Sequence, residues 1–153
     1  MWLLTAVEIM SESTIKLSHA QFDEIMQERL PFADMLGLKL DLIASDHIVM
    51  RACVDQQHLR PGGTVAGPVM MGLADAAVYA LILSRIGPVE LAVTTSLSIN
   101  FLRKPKPADL LARATMLKLG KRLAIAEASI YSVDLDSDPV AHAVATYSIP
   151  PPE

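Results

Sequence analysis

The chain has 153 residues, of which 52% are hydrophobic, and a formal net charge of −4. A chain of this length is expected to fold as one domain, because about 70% of the surface of the unfolded chain becomes buried at this size. The negative charge argues against a protein that binds nucleic acid by neutralising phosphates. The single Cys53 excludes an internal disulfide, and the sequence has no Cys/His cluster with metal-ligand spacing. We therefore expect no metal or cofactor, and a reducing cytoplasm as the location.

The first segment, MWLLTAVEIM, is apolar but too short to cross a bilayer, and it carries Glu8 without a positively charged start. Met10 opens a more polar start, which is consistent with residues 1–9 being a non-native or alternative extension. We expect a flexible N-terminal extension over residues 1–17 and a single domain over residues 18–153. Neither a signal peptide nor a membrane segment is expected.

The first elements follow from capping and periodicity. Ser18 and Gln21 have the form of a capping box, and apolar residues at helical spacing then predict a helix over residues 19–30 that ends before Pro31. PFADMLGL is predicted to be a link. The runs LKLDLIAS and HIVMRACV, separated by Ser45 and Asp46, predict a β-hairpin. DQQHLRPGGTVAGP predicts a loop.

A long apolar helix is predicted next, with Pro68 near its first turn and its end near Arg85, before Gly87. Apolar residues surround this helix, which predicts burial on nearly all sides. Small side chains form a row that would let the helix lie close to another backbone: Gly72, Ala76 and Ala80.

Residues 91–102 alternate strictly between two kinds of side chain, which predicts a long strand. One face holds Leu91, Val93, Thr95, Leu97, Ile99 and Phe101, and the other holds Ala92, Thr94, Ser96, Ser98 and Asn100. RKPKPAD connects it to the strand DLLARATMLKL, and the turns GK and DSDP precede the strands RLAIAEASIYSVDL and VAHAVATYSI. The order predicts an α+β domain with an antiparallel sheet, whose uncovered face and edges favour a homodimer or dimer of dimers.

Asp75 is the only ionisable side chain between Pro68 and Ser84 apart from the weakly acidic Tyr79. A buried lone carboxylate is costly unless it is hydrogen-bonded, neutralised or beside a wet site. A packing role would satisfy this condition, but the Gly-rich loop two turns earlier favours a functional site. At the helix start, Gly67 could donate its N–H to an oxygen that becomes negative during acyl transfer.

Two basic patches stand at strand ends: Arg103, Lys104 and Lys106, and then Lys118, Lys121 and Arg122. Antiparallel turns could bring the two patches together, where they would suit the phosphates of a nucleotide-bearing ligand. Solvated turns with lysines that protect sheet edges are an equal alternative. Met71, one helical turn before Asp75, is either a core residue or part of an acyl pocket.

From about residue 18 to residue 149 the chain resembles the PaaI-like acyl-CoA thioesterases of the hotdog-fold superfamily. The resemblance is carried by PFADMLGLKL, GGTVAGPVMMGLADAAV, LAVTTSLSINFLRKP and AHAVATYSI. It implies an antiparallel sheet wrapped around a long central helix. It also implies that two subunits pair into one continuous sheet and hold active sites at their interface.

The resemblance implies that Asp75 is the catalytic nucleophile or general base. Gly67 would polarise the thioester carbonyl opposite Asp75 of the partner subunit, and Thr94 would orient the attacking water. The basic patches would bind the CoA nucleotide. The chain departs from the family pattern at Ala66, where many members have His, at Pro68, which replaces a second glycine, and at Arg60, a substrate-binding position where members have Asn or a similar polar residue. A protein that binds acyl-CoA without catalysis is therefore the alternative.

A hydratase or dehydratase is a third alternative, because HLRPGG and GPVMMGLAD look somewhat like the motifs of such enzymes in the same superfamily. His58 and Asp75 would then form an acid/base pair. The gap between them is longer than the corresponding gap in that motif, and Pro61 is displaced by one residue. We therefore favour the thioesterase interpretation.

Overall fold

The computed structural model of the protein describes residues 15–133 and 138–153. The helices in these ranges are α1 (His19–Arg29), α2 (Pro31–Met35) and α3 (Gly67–Ile86), with a 3₁₀ turn at Gln56–His58. The strands are β1 (Leu38–Ile43), β2 (Ile48–Ala52), β3 (Val93–Phe101), β4 (Leu110–Leu119), β5 (Leu123–Ser132) and β6 (Ala141–Ser148). They form one antiparallel sheet in the order β1-β2-β4-β5-β6-β3, with α3 packed on it. The predicted α+β fold with a long central helix is confirmed.

The sheet face beneath α3 is lined with fully buried alanines. They alternate along three neighbouring strands: Ala112 and Ala114 on β4, Ala124, Ala126 and Ala128 on β5, and Ala141, Ala143 and Ala145 on β6. These short side chains let the helix lie close to the sheet, and α3 supplies the bulk of this layer with residues such as Leu73, Leu81 and Leu83. Although α3 is long and apolar enough to cross a membrane, most of it is buried in this core.

The domain begins earlier than predicted. The Lys16 N–H donates to the Ser84 carbonyl at 2.7 Å, and Leu17 is buried in the core. The capping box of Ser18 and Gln21 is confirmed, but the segment after α1 is a short helix, α2, rather than a simple link. Residues 1–14 of the predicted extension lie outside the described residues, as do residues 134–137, which include part of the predicted DSDP turn.

One face of α3 is open, contrary to the prediction that the helix is buried on nearly all sides. Met71 is exposed, and Gly72, Asp75 and Ala76 are only partly buried. Of the small residues predicted to allow the close approach of another backbone, Gly72 and Ala76 lie at this face and Ala80 is buried. Gly72 leaves room for the Leu36 side chain, with which a Cβ at this position would clash. The open face of α3 therefore adjoins side chains of the α1–α2 segment.

The alternation predicted for β3 is interrupted by a bulge at Thr95, where the register with β6 shifts between Thr94 and Ser96. The extra residue exchanges the two faces of the strand. Thr94 before the bulge and Leu97 after it both point to the α3 side, whereas Val93 is exposed. The single apolar face predicted for the whole strand is therefore wrong, and the bulge is what turns Thr94 toward the helix.

Candidate active site

The Asp75 carboxylate is held by two hydroxyl groups. The Thr94 hydroxyl donates to Asp75 Oδ1 at 2.7 Å, and the Tyr147 hydroxyl donates to the same oxygen at 2.7 Å. Tyr147 also approaches the Asp75 main-chain carbonyl oxygen at 3.0 Å. Such hydrogen bonds offset the cost of removing a carboxylate from water. The lone carboxylate in the apolar helix α3 is thus stabilised by hydrogen bonds from two neighbouring strands, β3 and β6.

The two donors come from facing positions in the sheet. Thr94 on β3 pairs with Tyr147 on β6 in the antiparallel register, immediately before the bulge. Paired residues in a sheet point to the same side, so both hydroxyl groups reach α3 at the level of Asp75. The edge strand and its neighbour together position the carboxylate.

Tyr147 was missed in the sequence analysis. It is 2% exposed, and its position follows Ala141, Ala143 and Ala145 at the strand period of two. A tyrosine after a run of buried alanines is the signal that could have identified it, because a buried phenol needs a polar partner. Burial raises the pKa of Tyr147, and the nearby Asp75 charge raises it further. The phenol therefore stays protonated and acts as a donor at neutral pH.

A cavity of about 270 Å³ lies beside Asp75. Its walls come from the α1–α2 segment, the open face of α3 and the start of β3, and its apolar lining includes Leu30, Phe32, Ala33, Leu36, Ala76 and Tyr79. A second carboxylate, Glu90, also lines it and forms an ion pair with Arg29 at 3.4 Å. The cavity thus joins an apolar compartment to a hydrogen-bonded carboxylate, which is the usual composition of a small-molecule site.

Gly67 lies at the start of α3, with Pro68 as the next helical residue. The Phe101 ring lies against it, at 3.4 Å from the position that a Cβ on Gly67 would take. Because α-helices rise 1.5 Å per residue, the eight positions between Gly67 and Asp75 correspond to about 12 Å along the helix axis. Within one chain, the two residues are too far apart to act on the same carbonyl group.

His58 is a structural residue of the loop before α3. It is buried, its Nδ1 accepts from the Asp55 N–H at 3.0 Å, and its Nε2 lies 2.9 Å from the Met35 carbonyl oxygen, to which it donates in the corresponding tautomer. The His58 carbonyl accepts from the Ala66 N–H at 2.9 Å. The loop is therefore anchored through the backbone of Ala66, and both ring nitrogens of His58 are engaged away from Asp75.

Two further predicted substrate-binding residues lie apart from the Asp75 cavity. Arg60 is exposed in a tight loop, where its N–H donates to the Thr64 carbonyl at 2.9 Å and its carbonyl accepts from the Gly63 N–H at 3.0 Å. Met71 is 41% exposed on α3 and does not line the cavity.

Among residues 15–133 and 138–153, no group of three or more His, Cys, Asp or Glu side chains is placed to hold a metal ion.

The two basic patches lie at opposite ends of β6, so the prediction that they meet is wrong for a single chain. Arg103 donates to the Pro139 carbonyl at 2.8 Å before β6, and Arg122 donates to the Ile149 carbonyl at 3.3 Å after it. The strand between them spans roughly 24 Å at 3.4 Å per residue. All six side chains are exposed: Arg103, Lys104, Lys106, Lys118, Lys121 and Arg122.

The family model of the thioesterase superfamily matches residues 62–137. A Pseudomonas aeruginosa protein designated an esterase is 34% identical over 107 residues, which cover 67% of this chain and 78% of that protein. The family match covers the end of the loop before α3, the helix itself and the strands β3, β4 and β5.

Solved structures share the fold. A protein from Silicibacter sp. TM1040 designated a thioesterase is 42% identical, with a TM-score of 0.81 over 90% of this chain and 94% of that one. A mutant of the phenylacetic acid degradation protein PaaI from Thermus thermophilus is 30% identical, with a TM-score of 0.67 over 77% of this chain and 97% of that one. The chain therefore belongs to the thioesterase superfamily and is a PaaI-like thioester hydrolase with a hotdog fold.

Proposed function

We propose that the protein hydrolyses acyl-CoA thioesters to a carboxylic acid and free CoA, with Asp75 as general base or nucleophile. The observation that carries the proposal is the Asp75 carboxylate, held by two hydroxyl donors at the wall of an apolar cavity. The cavity would take the acyl group and bring the thioester carbonyl to the carboxylate. Membership of the thioesterase superfamily supports the reaction class.

The complete site would form between two copies of the chain. β3 is an edge strand with exposed apolar residues at both ends, among them Val93 at 57% and Phe101 at 50% exposure. Such an edge is suited to pair with a second strand. Antiparallel pairing with β3 of another copy would set the Phe101 end of one strand beside the Val93 end of the other. Gly67 would then approach Asp75 of the partner subunit.

In the proposed reaction the thioester carbonyl oxygen accepts a hydrogen bond from the Gly67 N–H as negative charge develops on it. Pro68 has no N–H, and the Val69 N–H already donates to the Ala66 carbonyl at 3.1 Å, which leaves Gly67 as the donor at this turn. Asp75 either takes a proton from the attacking water or attacks the carbonyl carbon itself. The C–S bond breaks and water supplies the new acyl oxygen, directly when Asp75 is the base, or by hydrolysis of the Asp75–acyl anhydride when Asp75 is the nucleophile. A proton lost by the water, carried by Asp75 or by solvent, goes to the sulfur, and CoA leaves as the thiol.

Thr94 would support this reaction by orienting both Asp75 and the water. Its hydroxyl hydrogen is directed to Asp75 Oδ1, so its remaining lone pairs can accept a hydrogen bond from water. Thr94 can therefore contact Asp75 and a water molecule at the same time.

The same pairing of subunits would bring the two basic patches together, because one lies at each end of β6. We expect Arg103→Ala and Arg122→Ala each to weaken CoA binding about fivefold, as the loss of an exposed ion pair of ~1 kcal/mol would do. Titration calorimetry at low and high salt measures this, and the effect should shrink as salt screens the charges. Arg113→Ala, at an exposed arginine in the middle of β4, is the matched control. If Arg103→Ala and Arg122→Ala bound CoA as tightly as Arg113→Ala does, the patches would be solvated turns that take no part in CoA binding.

The cavity should set the choice of acyl group. Ala76→Leu fills part of it, and we expect kcat/KM for octanoyl-CoA or phenylacetyl-CoA to fall at least tenfold relative to acetyl-CoA, since pocket volume commonly discriminates by about 10- to 200-fold. Met71→Leu changes the same helix outside the cavity and should leave this ratio unaltered. A ratio unchanged in both variants would mean that the acyl group binds elsewhere.

A panel of short, long and aromatic acyl-CoA substrates, followed by detection of the released thiol, tests the function as a whole. CoA binding in a calorimeter without thiol release from any substrate would favour the binding protein instead. The hydratase alternative loses support because both nitrogens of His58 are engaged with the backbone.

A further inference from the structure

We infer that Tyr147 and Thr94 fix the Asp75 carboxylate through Oδ1 and leave Oδ2 as the reacting oxygen, so that Tyr147 is a positioning residue. This inference rests on the hydrolysis proposed above and adds to it the orientation of the carboxylate. It also gives a role in the reaction to Tyr147 on β6, which lies outside the helix, the glycine loop and the basic patches.

Both hydrogen bonds end on one oxygen. A carboxylate offers about four acceptor positions over its two oxygens, and here two hydroxyl groups at 2.7 Å use Oδ1. Within residues 15–133 and 138–153, no side chain or backbone N–H donates to Oδ2. Since Asp75 lines the cavity, Oδ2 is the oxygen left to meet water or a thioester carbonyl carbon.

The second torsion of an Asp side chain is broad and roughly twofold, so a carboxylate without partners exchanges its two oxygens readily. Tyr147 opposes this rotation from a rigid position. It is 2% exposed, its ring packs against Tyr79 with centroids 6.2 Å apart, and its hydroxyl also lies 3.0 Å from the Asp75 carbonyl oxygen. The phenol is therefore tied to both the backbone and the side chain of Asp75.

Tyr147→Phe removes the hydroxyl and keeps the ring. We expect kcat to fall by about 10- to 100-fold, as misplacement of a reacting group does, while KM stays within about twofold. Tyr131→Phe is the matched control, because it removes a phenol hydroxyl from β5 at a residue that does not line the cavity. An equal loss of kcat in both variants, or no loss in Tyr147→Phe, would overturn the inference.

A double-mutant cycle with Thr94→Val separates positioning from general destabilisation. Each single variant keeps one donor on Oδ1, whereas the double variant leaves the carboxylate free to rotate. The loss of kcat in the double variant should therefore exceed the product of the single losses. Simple multiplication of the two losses would show that the hydroxyl groups do not act through a shared oxygen. Thermal unfolding of all three variants identifies any contribution from stability.

A difference spectrum tests the contact without any substrate. In a Tyr79→Phe, Tyr131→Phe background Tyr147 is the remaining tyrosine, and its near-ultraviolet absorbance is compared at neutral pH with and without Asp75→Asn. A phenol that donates to a charged carboxylate absorbs at longer wavelength than one that donates to an amide, because the charge-assisted hydrogen bond is stronger, so Asp75→Asn should shift the Tyr147 band to shorter wavelength. An unchanged spectrum would refute the contact. Absence of thioester hydrolysis by the parent protein, with the expected spectral shift, would instead count against the proposed function alone.

Discussion

Asp75→Asn is expected to lower kcat for thioester hydrolysis by about 10²- to 10⁴-fold, the range that a lost general base accounts for. The amide keeps the shape of the side chain, and its oxygen can still accept from Thr94 and Tyr147, as Asp75 Oδ1 does. It can neither take a proton from water at neutral pH nor attack a carbonyl carbon. Thiol release from acyl-CoA substrates measures the effect, and the melting temperature should change little.

Glu90→Gln is the matched control for this experiment, because Glu90 is the second carboxylate that lines the cavity. It is paired with Arg29 and has no hydroxyl donor comparable to those of Asp75 among the described residues. We expect its kcat to remain within about threefold of the parent value. If Glu90→Gln lost activity and Asp75→Asn kept it, the catalytic assignment would pass to Glu90.

Gly67→Pro should lower kcat by about 10²- to 10³-fold, because removal of one donor to a developing oxyanion has a cost of this size. Proline is tolerated at the first helical position, where the N–H has no partner in the helix. Gly67→Ala is the control. It keeps the N–H, and its Cβ would meet the Phe101 ring at 3.4 Å, which is an ordinary contact. Near-parent activity in both variants would exclude the Gly67 N–H from the reaction.

Mixing the two inactive proteins tests whether one site draws on two chains. In a heterodimer of Asp75→Asn with Gly67→Pro, one site would lack both groups and the other would keep both. With random reassociation half of the dimers are mixed, so about a quarter of the parent activity should return for a twofold-symmetric dimer. No recovery after subunit exchange would mean that each site is completed within one chain, or by a different contact.

Periodicity was sufficient to predict the helices and strands that define the fold. The capping box at Ser18 and the apolar run of α3 are local signals, and the structure agrees with both. Asp75 was also identifiable, since a carboxylate in an apolar helix needs a partner wherever it is placed. Its two partners could not be identified, because they depend on the pairing of β3 with β6.

The bulge at Thr95 explains most of what the sequence pattern missed. Plain alternation places Thr94 and Leu97 on opposite faces, and only the shifted register puts both on the α3 side. The cavity was missed for a similar reason, because Gly72 and Ala76 suggest close packing as readily as open space. The separation of the basic patches could not be predicted without the strand order. Arg103 and Arg122 contact the chain at opposite ends of the same strand, β6.

The alanine-lined sheet divides the domain into a part that resists substitution and a part that tolerates it. A larger side chain at Ala126 or Ala143 would push α3 away from the strands, and overpacking of this kind typically costs about 1–3 kcal/mol. The wall formed by Phe32 and Leu36 instead belongs to a short segment outside the sheet. If the cavity binds the acyl group as proposed, new substrate preferences would arise by exchange of residues in that segment, while the alanine-lined layer beneath α3 stays unchanged.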